Sequence, residues 1–258
     1  MSTIIFFHAH PDDEASSTSG TMMKAVAAGH RVVVVYATDG AHGNVPTDLG
    51  EIETVEQRRQ TEALAAAEVV GTTRVVFLGF RDSGMTGWSQ NEDPDSFHLA
   101  EVDEAARRLA VLLDDEQADV LVGYDWHGSY GHPDHVKVHA VTYRAAELAR
   151  RTPRVLESTH NTDAIASDLI NELMDVPEGE QWLGDDGLPV GTPEAEITWQ
   201  VDVRDLTDRK RQALRAHASQ NDASMLASLP SPAFEALLGF EYYIERGVDG
   251  PMRCAWPF

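Results

Sequence analysis

Short apolar runs alternate with helix-length amphipathic stretches from Thr3 to Arg150, an order that few architectures accommodate. Thr3–Phe7, Arg31–Ala37, Arg74–Leu78 and Val120–Gly123 are brief, rich in Val, Ile and Phe, and read as buried strands. Between them lie Glu14–Ala28, Val55–Val70 and Leu99–Glu116, where Ala, Leu and Val recur with the period of a helix face. Gly29 and Gly71 stand where a glycine in a left-handed conformation ends a helix. Pro133, favoured in a first helical turn, opens another helix that runs to about Arg150. The alternation predicts an α/β fold with a mostly parallel sheet and helices on both faces.

After Pro153 the pattern loosens. Arg154–Thr159 reads as a fifth strand, Ile197–Val203 alternates as a strand does, Asp205–Gln220 reads as a helix and Glu241–Glu245 as a final strand. Pro177 to Pro193 is rich in Gly, Pro and acids and reads as a loop or flap. No internal repeat or long linker divides the chain. The expectation is one domain over 1–258, with a parallel core over 1–152 and a C-terminal elaboration over 153–258.

Bulk properties narrow the function classes. A chain of 258 residues can bury a full core. No apolar stretch approaches the ~20 residues that span a bilayer, and no leader pattern precedes the first strand. A soluble, cytoplasmic protein with no membrane partner is expected; a homo-oligomeric state stays open. The net charge of −23 argues against a nucleic-acid partner. Cys254 is the sole cysteine, so neither an internal disulfide nor a thiolate cluster can form, and any metal must be held by nitrogen and oxygen.

Two runs carry the chemistry. His8-Ala9-His10-Pro11-Asp12-Asp13-Glu14 follows the first strand, and Tyr130-Gly131-His132-Pro133-Asp134-His135 follows the strand at 120–123. Both belong to the carboxyl edge of the sheet, where open α/β folds bind ligands. His10, Asp13 and His135 can form two imidazoles and one carboxylate around an ion with open positions, a set suited to Zn²⁺ and also to Fe²⁺. Asp12 is free to act as general base. His132 can donate to an oxyanion and protonate a leaving amine, with Asp134 holding it in a charged, donating form. The competing reading is that Asp12 and Asp134 simply cap helices. Two separate His-Pro-Asp clusters, each after a strand, favour a hydrolase site for an amide or ester.

Together these motifs resemble the PIG-L/LmbE family of zinc-dependent de-N-acetylases. The likeness extends through Gly29-His30-Arg31-Val32, Thr38-Asp39-Gly40, the helix carrying Arg59 and Glu62, and Ala216-His217-Ala218-Ser219-Gln220. Leu78-Gly79-Phe80-Arg81-Asp82-Ser83-Gly84-Met85 is most similar to the actinobacterial branch that deacetylates the glucosaminyl-inositol precursor of mycothiol. The resemblance implies a Rossmann-like sheet and removal of acetyl from a small N-acetylated amino-sugar substrate. It assigns zinc to His10, Asp13 and His135, the base to Asp12, and the acid or oxyanion donor to His132 with Asp134 behind it. It further implies that Tyr130 polarises the carbonyl and that Arg59 and Asp82 contact sugar hydroxyls. The chain departs from the family at Ser19-Gly20, where paired glycines are common, and in 165–193, a region expected to wall the pocket.

Other candidates are weaker. His139 lies four residues after His135 and reads as support or packing, and His8 likewise sits behind the ligands. His42 and His127 are in loops that can line the mouth; Trp88 and Trp126 can stack on a sugar or merely fill space. No GxGxxG or GxSxG motif occurs at the strand ends, so dinucleotide binding and a serine nucleophile are unsupported. The alternatives to a sugar N-deacetylase are a mycothiol-conjugate amidase, a deacetylase of an antibiotic or glycoside intermediate, and a catalytically silent sugar-binding module that keeps its metal. An Fe²⁺ oxygenase is more remote.

Overall fold

A computed structural model describes residues 1–165 and 182–258. The expected strands form as β1 (Thr3–His8), β2 (Arg31–Thr38), β3 (Arg74–Phe80), β4 (Val120–Tyr124), β5 (Arg154–Thr159), β6 (Trp199–Asp202) and β7 (Phe240–Ile244), with a two-residue β8 (Arg253–Cys254). Their order in one sheet is β3-β2-β1-β4-β5-β7-β6-β8. The first five are parallel, each returned to the same edge by a helical crossover, whereas β7 is antiparallel to both of its neighbours. The α/β class and the mostly parallel sheet are as the sequence predicts.

Among the described residues the helices longer than four residues are α1 (Asp13–Ser17), α2 (Ser19–Ala27), α3 (Val55–Val70), α4 (Val102–Asp115), α5 (Pro133–Leu148), α6 (Thr207–Ala216), α7 (Asn221–Ser228) and α8 (Ser231–Leu238). Strand side chains alternate between two cores. Ile4, Phe6, Val32 and Val34 pack with Met22, Leu214 and Phe234 on one face; Ile5, Phe7, Val33 and Val35 pack with Leu109, Leu113 and Val141 on the other. Burying each large apolar side chain is worth about 1.5–3 kcal/mol, so continuous hydrophobic runs are what a strand covered on both faces requires.

Three expectations differ from the structure. The helix expected over 14–28 breaks at Thr18, whose φ of −138° leaves the helical region. Its hydroxyl turns inward to His8 Nε2 at 3.0 Å. The helix expected over 205–220 ends at Ala216, because His217 turns away at φ −86°, ψ 51° to reach the motif after β1. Finally, α7 and α8 have no counterpart in the sequence reading. The loop expected over 177–193 lies partly outside the described residues; 182–193 is a loop pinned by a Leu183–Pro189 bridge. Among the described residues no helix is long and apolar enough to cross a membrane.

A buried ion pair ties the C-terminal part to the core. Lys210 of α6 lies 2.5 Å from Glu241 of β7, both essentially without solvent exposure. Glu241 also accepts the Gly20 and Thr21 N–H groups at 2.9 and 2.7 Å. Those orphan donors of the first turn of α2 are thereby satisfied.

Candidate metal centre and active site

From β1 the chain crosses to β2 and β3 on one side and later to β4 on the other, so the sheet has a switch point between β1 and β4. Crevices open at the carboxyl ends of such strands. His10, Asp12 and Asp13 leave β1 there, and the turn carrying Tyr130, His132 and His135 leaves β4 beside them. Asp82 arrives from the end of β3, and Arg59 reaches in from α3. The residues given a catalytic, metal-binding or substrate role from the sequence therefore meet at one edge. Asp134 lies just beneath, fully buried, and the rest line a cavity of about 580 Å³.

The donor atoms cluster tightly. One nitrogen each of His10, His132 and His135 lie within 4.8 Å of one another. Asp13 bridges two of these rings, with Oδ2 3.6 Å from His10 Nδ1 and Oδ1 3.4 Å from His135 Nε2. The His10 N–H fixes that carboxylate at 2.7 Å. Behind His10, its Nε2 faces Asp134 Oδ2 at 3.1 Å and Asp82 Oδ1 at 3.5 Å. An imidazole that gives one nitrogen to a carboxylate presents the other as a ligand of fixed direction.

The electrostatics favour a cation. Asp12, Asp13, Glu14, Asp82 and Asp134 crowd the site, and among the described residues Arg59 is the one Lys or Arg paired with any of them. Burial disfavours charge on His10, yet Asp82, with Asp13 and Asp134, outweighs it and holds the imidazolium well above its ordinary range. Burial likewise opposes charge on Asp13, but His135 and His10 keep its carboxyl well below the usual range. A site that stabilises positive charge this strongly, using only nitrogen and oxygen donors, fits a divalent metal.

Neither aspartate is a cap. Asp12 occupies the N-cap position of α1 but its side chain makes no capping hydrogen bond. It stands at φ 115°, ψ −26°, a conformation that costs a non-glycine residue about 1–3 kcal/mol. Its Oδ2 pairs with Arg59 Nη2 at 3.0 Å. Burial lifts its pKa to about 6, against the pull of Arg59 and with repulsion from Asp13. At neutral pH it is therefore ionised yet basic enough to take a proton.

His132, not an aspartate, caps α5: its Nδ1 accepts the Asp134 N–H at 3.1 Å. That leaves Nε2 as the protonated nitrogen. Burial, then the neighbouring His10 and His135, push its pKa down to about 2. This corrects the expectation that Asp134 keeps His132 charged. The Asp134 carboxylate is engaged instead by His10 and by the Ser83 N–H and hydroxyl. His132 is a neutral N–H donor.

Tyr130 lies with its hydroxyl 3.4 Å from His135 Nε2. The turn that carries it needs Gly128 at φ +63°, since a Cβ there would sit 2.4 Å from the His135 Cβ. Loop 182–192 covers this turn through the Asp185 N–H to Tyr130 O at 2.7 Å and the Gly191 N–H to Ser129 O at 2.7 Å. Arg59 lines the cavity, but its Nη1 binds Gly40 O at 2.6 Å and its Nη2 binds Pro11 O as well as Asp12. Asp82 accepts from the His42 and Gly84 N–H groups at 2.9 and 2.8 Å. Both therefore brace the site, a part that sequence reasoning had not given them.

The secondary candidates separate. His8 is buried between the Tyr124 hydroxyl at 2.8 Å and Thr18. His139 Nδ1 meets Tyr124 O at 3.0 Å, so it supports β4 and is no ligand. His42 and Trp88 line the cavity, whereas His127 is buried against Asp186 and Gly191 O, and Trp126 points to solvent. Sequence reasoning missed Glu14 and Ser83 as supports and gave His217 no role, although all three stand in its quoted motifs. It also missed the apolar wall formed by Leu214, Leu226, Leu237 and Leu238.

Known proteins resemble the chain over most of its length. A 1D-myo-inositol 2-acetamido-2-deoxy-alpha-D-glucopyranoside deacetylase from Thermobispora bispora is 34% identical, over 98% of this chain and 91% of that relative. Among solved structures, the N,N'-diacetylchitobiose deacetylase from Pyrococcus horikoshii has a TM-score of 0.61 at 20% identity, covering 93% of this chain and 83% of its own. A 4-carboxy-2-hydroxymuconate hydratase has a TM-score of 0.59 at 15% identity, covering 99% of this chain and 100% of its own. The fold thus serves more than one reaction, and only residues can assign one. The family described as PIG-L, GlcNAc-PI de-N-acetylase, matches residues 5–146, and the chain belongs to it.

Proposed function

We propose that this protein is a zinc-dependent hydrolase that removes acetyl from the nitrogen of an amino-sugar glycoside, in the substrate class named for its deacetylase relatives. The observation that carries the reading is an uncapped, ionisable Asp12 beside a His10–Asp13–His135 donor set, with a neutral His132 N–H facing the same space. His10, Asp13 and His135 would hold the ion. When bound, it supplies a Lewis acid that polarises the amide carbonyl and brings the pKa of water toward ~7.

The remaining chemistry belongs to the chain. Asp12 accepts a proton as water adds to the acetyl carbon. His132 Nε2–H donates to the oxygen that gains negative charge, and Tyr130 offers a second donor at the mouth. The C–N bond then breaks, and the proton held by Asp12 passes to the leaving nitrogen, giving acetate and a free amine. His42 lines the cavity and is a candidate polar partner for sugar hydroxyls.

The apolar wall favours a second reading, a relative that removes a larger acyl group or cleaves a conjugated amide, as in antibiotic or mycothiol-conjugate processing. Relative kcat/KM on N-acetyl and N-octanoyl glucosaminides distinguishes the two. The test of the main reading is separation of metal from turnover: His135→Ala is expected to lose metal, whereas Asp12→Asn keeps metal and loses turnover. An Asp12→Asn enzyme with near-wild-type turnover refutes it.

A further inference from the structure

Asp12 is held in a conformation that a non-glycine residue rarely adopts, so other groups must fix it there. One is the Glu14 carboxylate, whose Oε2 accepts the Asp12 N–H at 3.1 Å. Glu14 is buried, and its Oε1 lies 2.7 Å from His217 Nε2. A buried carboxylate keeps its charge and place only with a partner of this kind. His217 enters from the far end of the chain, on the turn that ends α6, and is itself fully buried.

We infer that His217, acting through Glu14, is a positioning residue for the Asp12 backbone and hence for the direction of the Asp12 carboxylate. The inference rests on the reading of Asp12 as the base. Neither Glu14 nor His217 lines the cavity, so neither is placed to touch substrate. The turn bearing His217 has its own anchors. Ser219 donates through its N–H and hydroxyl to Glu62 at 2.9 and 2.7 Å, and Gln220 Oε1 accepts the Asn44 N–H at 3.0 Å. Replacing His217 therefore leaves the turn attached while taking from Glu14 its imidazole partner and leaving it the Tyr36 hydroxyl. Burial opposes charge on His217, but Glu14 prevails and raises its pKa.

The experiment compares metal-loaded wild type with His217→Met, which keeps volume without a donor, and His217→Gln, which restores an N–H. Methionine is expected to lower kcat at least tenfold, with KM within twofold and metal stoichiometry unchanged; glutamine is expected to recover most of the loss. Loss of metal, a rise in KM at constant kcat, or a glutamine variant as slow as the methionine one overturns the assignment. Should His217→Met fail to fold, Glu14→Asp applies the same test, since it keeps the charge but withdraws it from the Asp12 N–H. A fivefold or greater fall in kcat at constant KM is then expected, and an unchanged kcat overturns the assignment. Asp12→Asn separates the two levels. An active Asp12→Asn removes the base itself, whereas an inactive one beside an unimpaired His217→Met removes only the positioning.

Discussion

Replacing Arg59 with methionine distinguishes a brace for the base from a contact for the sugar. Arg59 is 3% exposed and pairs with Asp12 at 3.0 Å. Methionine preserves most of the aliphatic stem but leaves the partly exposed Asp12 carboxylate without its partner, at a cost below the about 3–5 kcal/mol of breaking a fully buried pair. Native domains are stable by about 5–15 kcal/mol, so the variant is expected to fold with a markedly lower Tm. The effect on chemistry follows from the same pair. Burial already lifts Asp12 to about 6 while Arg59 restrains it, so removing the guanidinium raises it further. Each unit corresponds to about 1.4 kcal/mol, and a rise of about one unit would leave Asp12 half protonated at pH 7. Steady-state deacetylation between pH 5.5 and 9 should therefore show the acid limb of kcat/KM displaced upward. The kcat at pH 7 should fall, with partial recovery at high pH. An unmoved acid limb together with a tenfold rise in KM alone would refute the brace and make Arg59 a sugar contact.

Two further outcomes test the packing that supports the site. Burial lowers His8 from its ordinary 6.5 to about 4, so the unfolded chain takes up a proton at this residue before the native one does. Its stabilising effect is complete above pH 6.5 and falls as pH drops toward 4, by on the order of 3 kcal/mol. Urea denaturation of wild type and His8→Gln at pH 7 and pH 4.5 should show the steeper loss in wild type, and equal losses would count against it. Lys210→Met strands Glu241 in the core and is expected to cost about 3–5 kcal/mol by urea denaturation; a loss under about 1 kcal/mol would mean that the Gly20 and Thr21 N–H groups alone suffice.

The parts of the molecule that depend on local pattern were legible in the sequence. β1, β2 and β4 are apolar runs bounded by polar turns, and burial on both faces leaves such runs few other structures, whereas the edge strand β3 is only half buried. The two histidine clusters were legible because each lies within a few residues of a strand end. Parts fixed by distant contacts were not. Thr18 breaks its helix to reach His8, and His217 leaves its helix to reach Glu14, neither of which local propensity records. α7 and α8 are short, and Pro230 between them reads as a loop. Asp134 was assigned to His132, its sequence neighbour, whereas the fold hands it to His10. Arg59 and Asp82 were read as substrate contacts on resemblance, and only the assembled cavity reveals how much of each is engaged in holding other residues.

The most direct measurement is acetate and amine release from an N-acetylglucosaminyl-inositol substrate by purified protein. It would be followed before and after chelation and again after zinc is restored. Equimolar acetate and free amine, abolished by chelator and recovered with zinc, are expected. Zinc-loaded protein that binds the substrate but releases no acetate, or release that survives complete metal removal, would contradict a metal-dependent N-deacetylase.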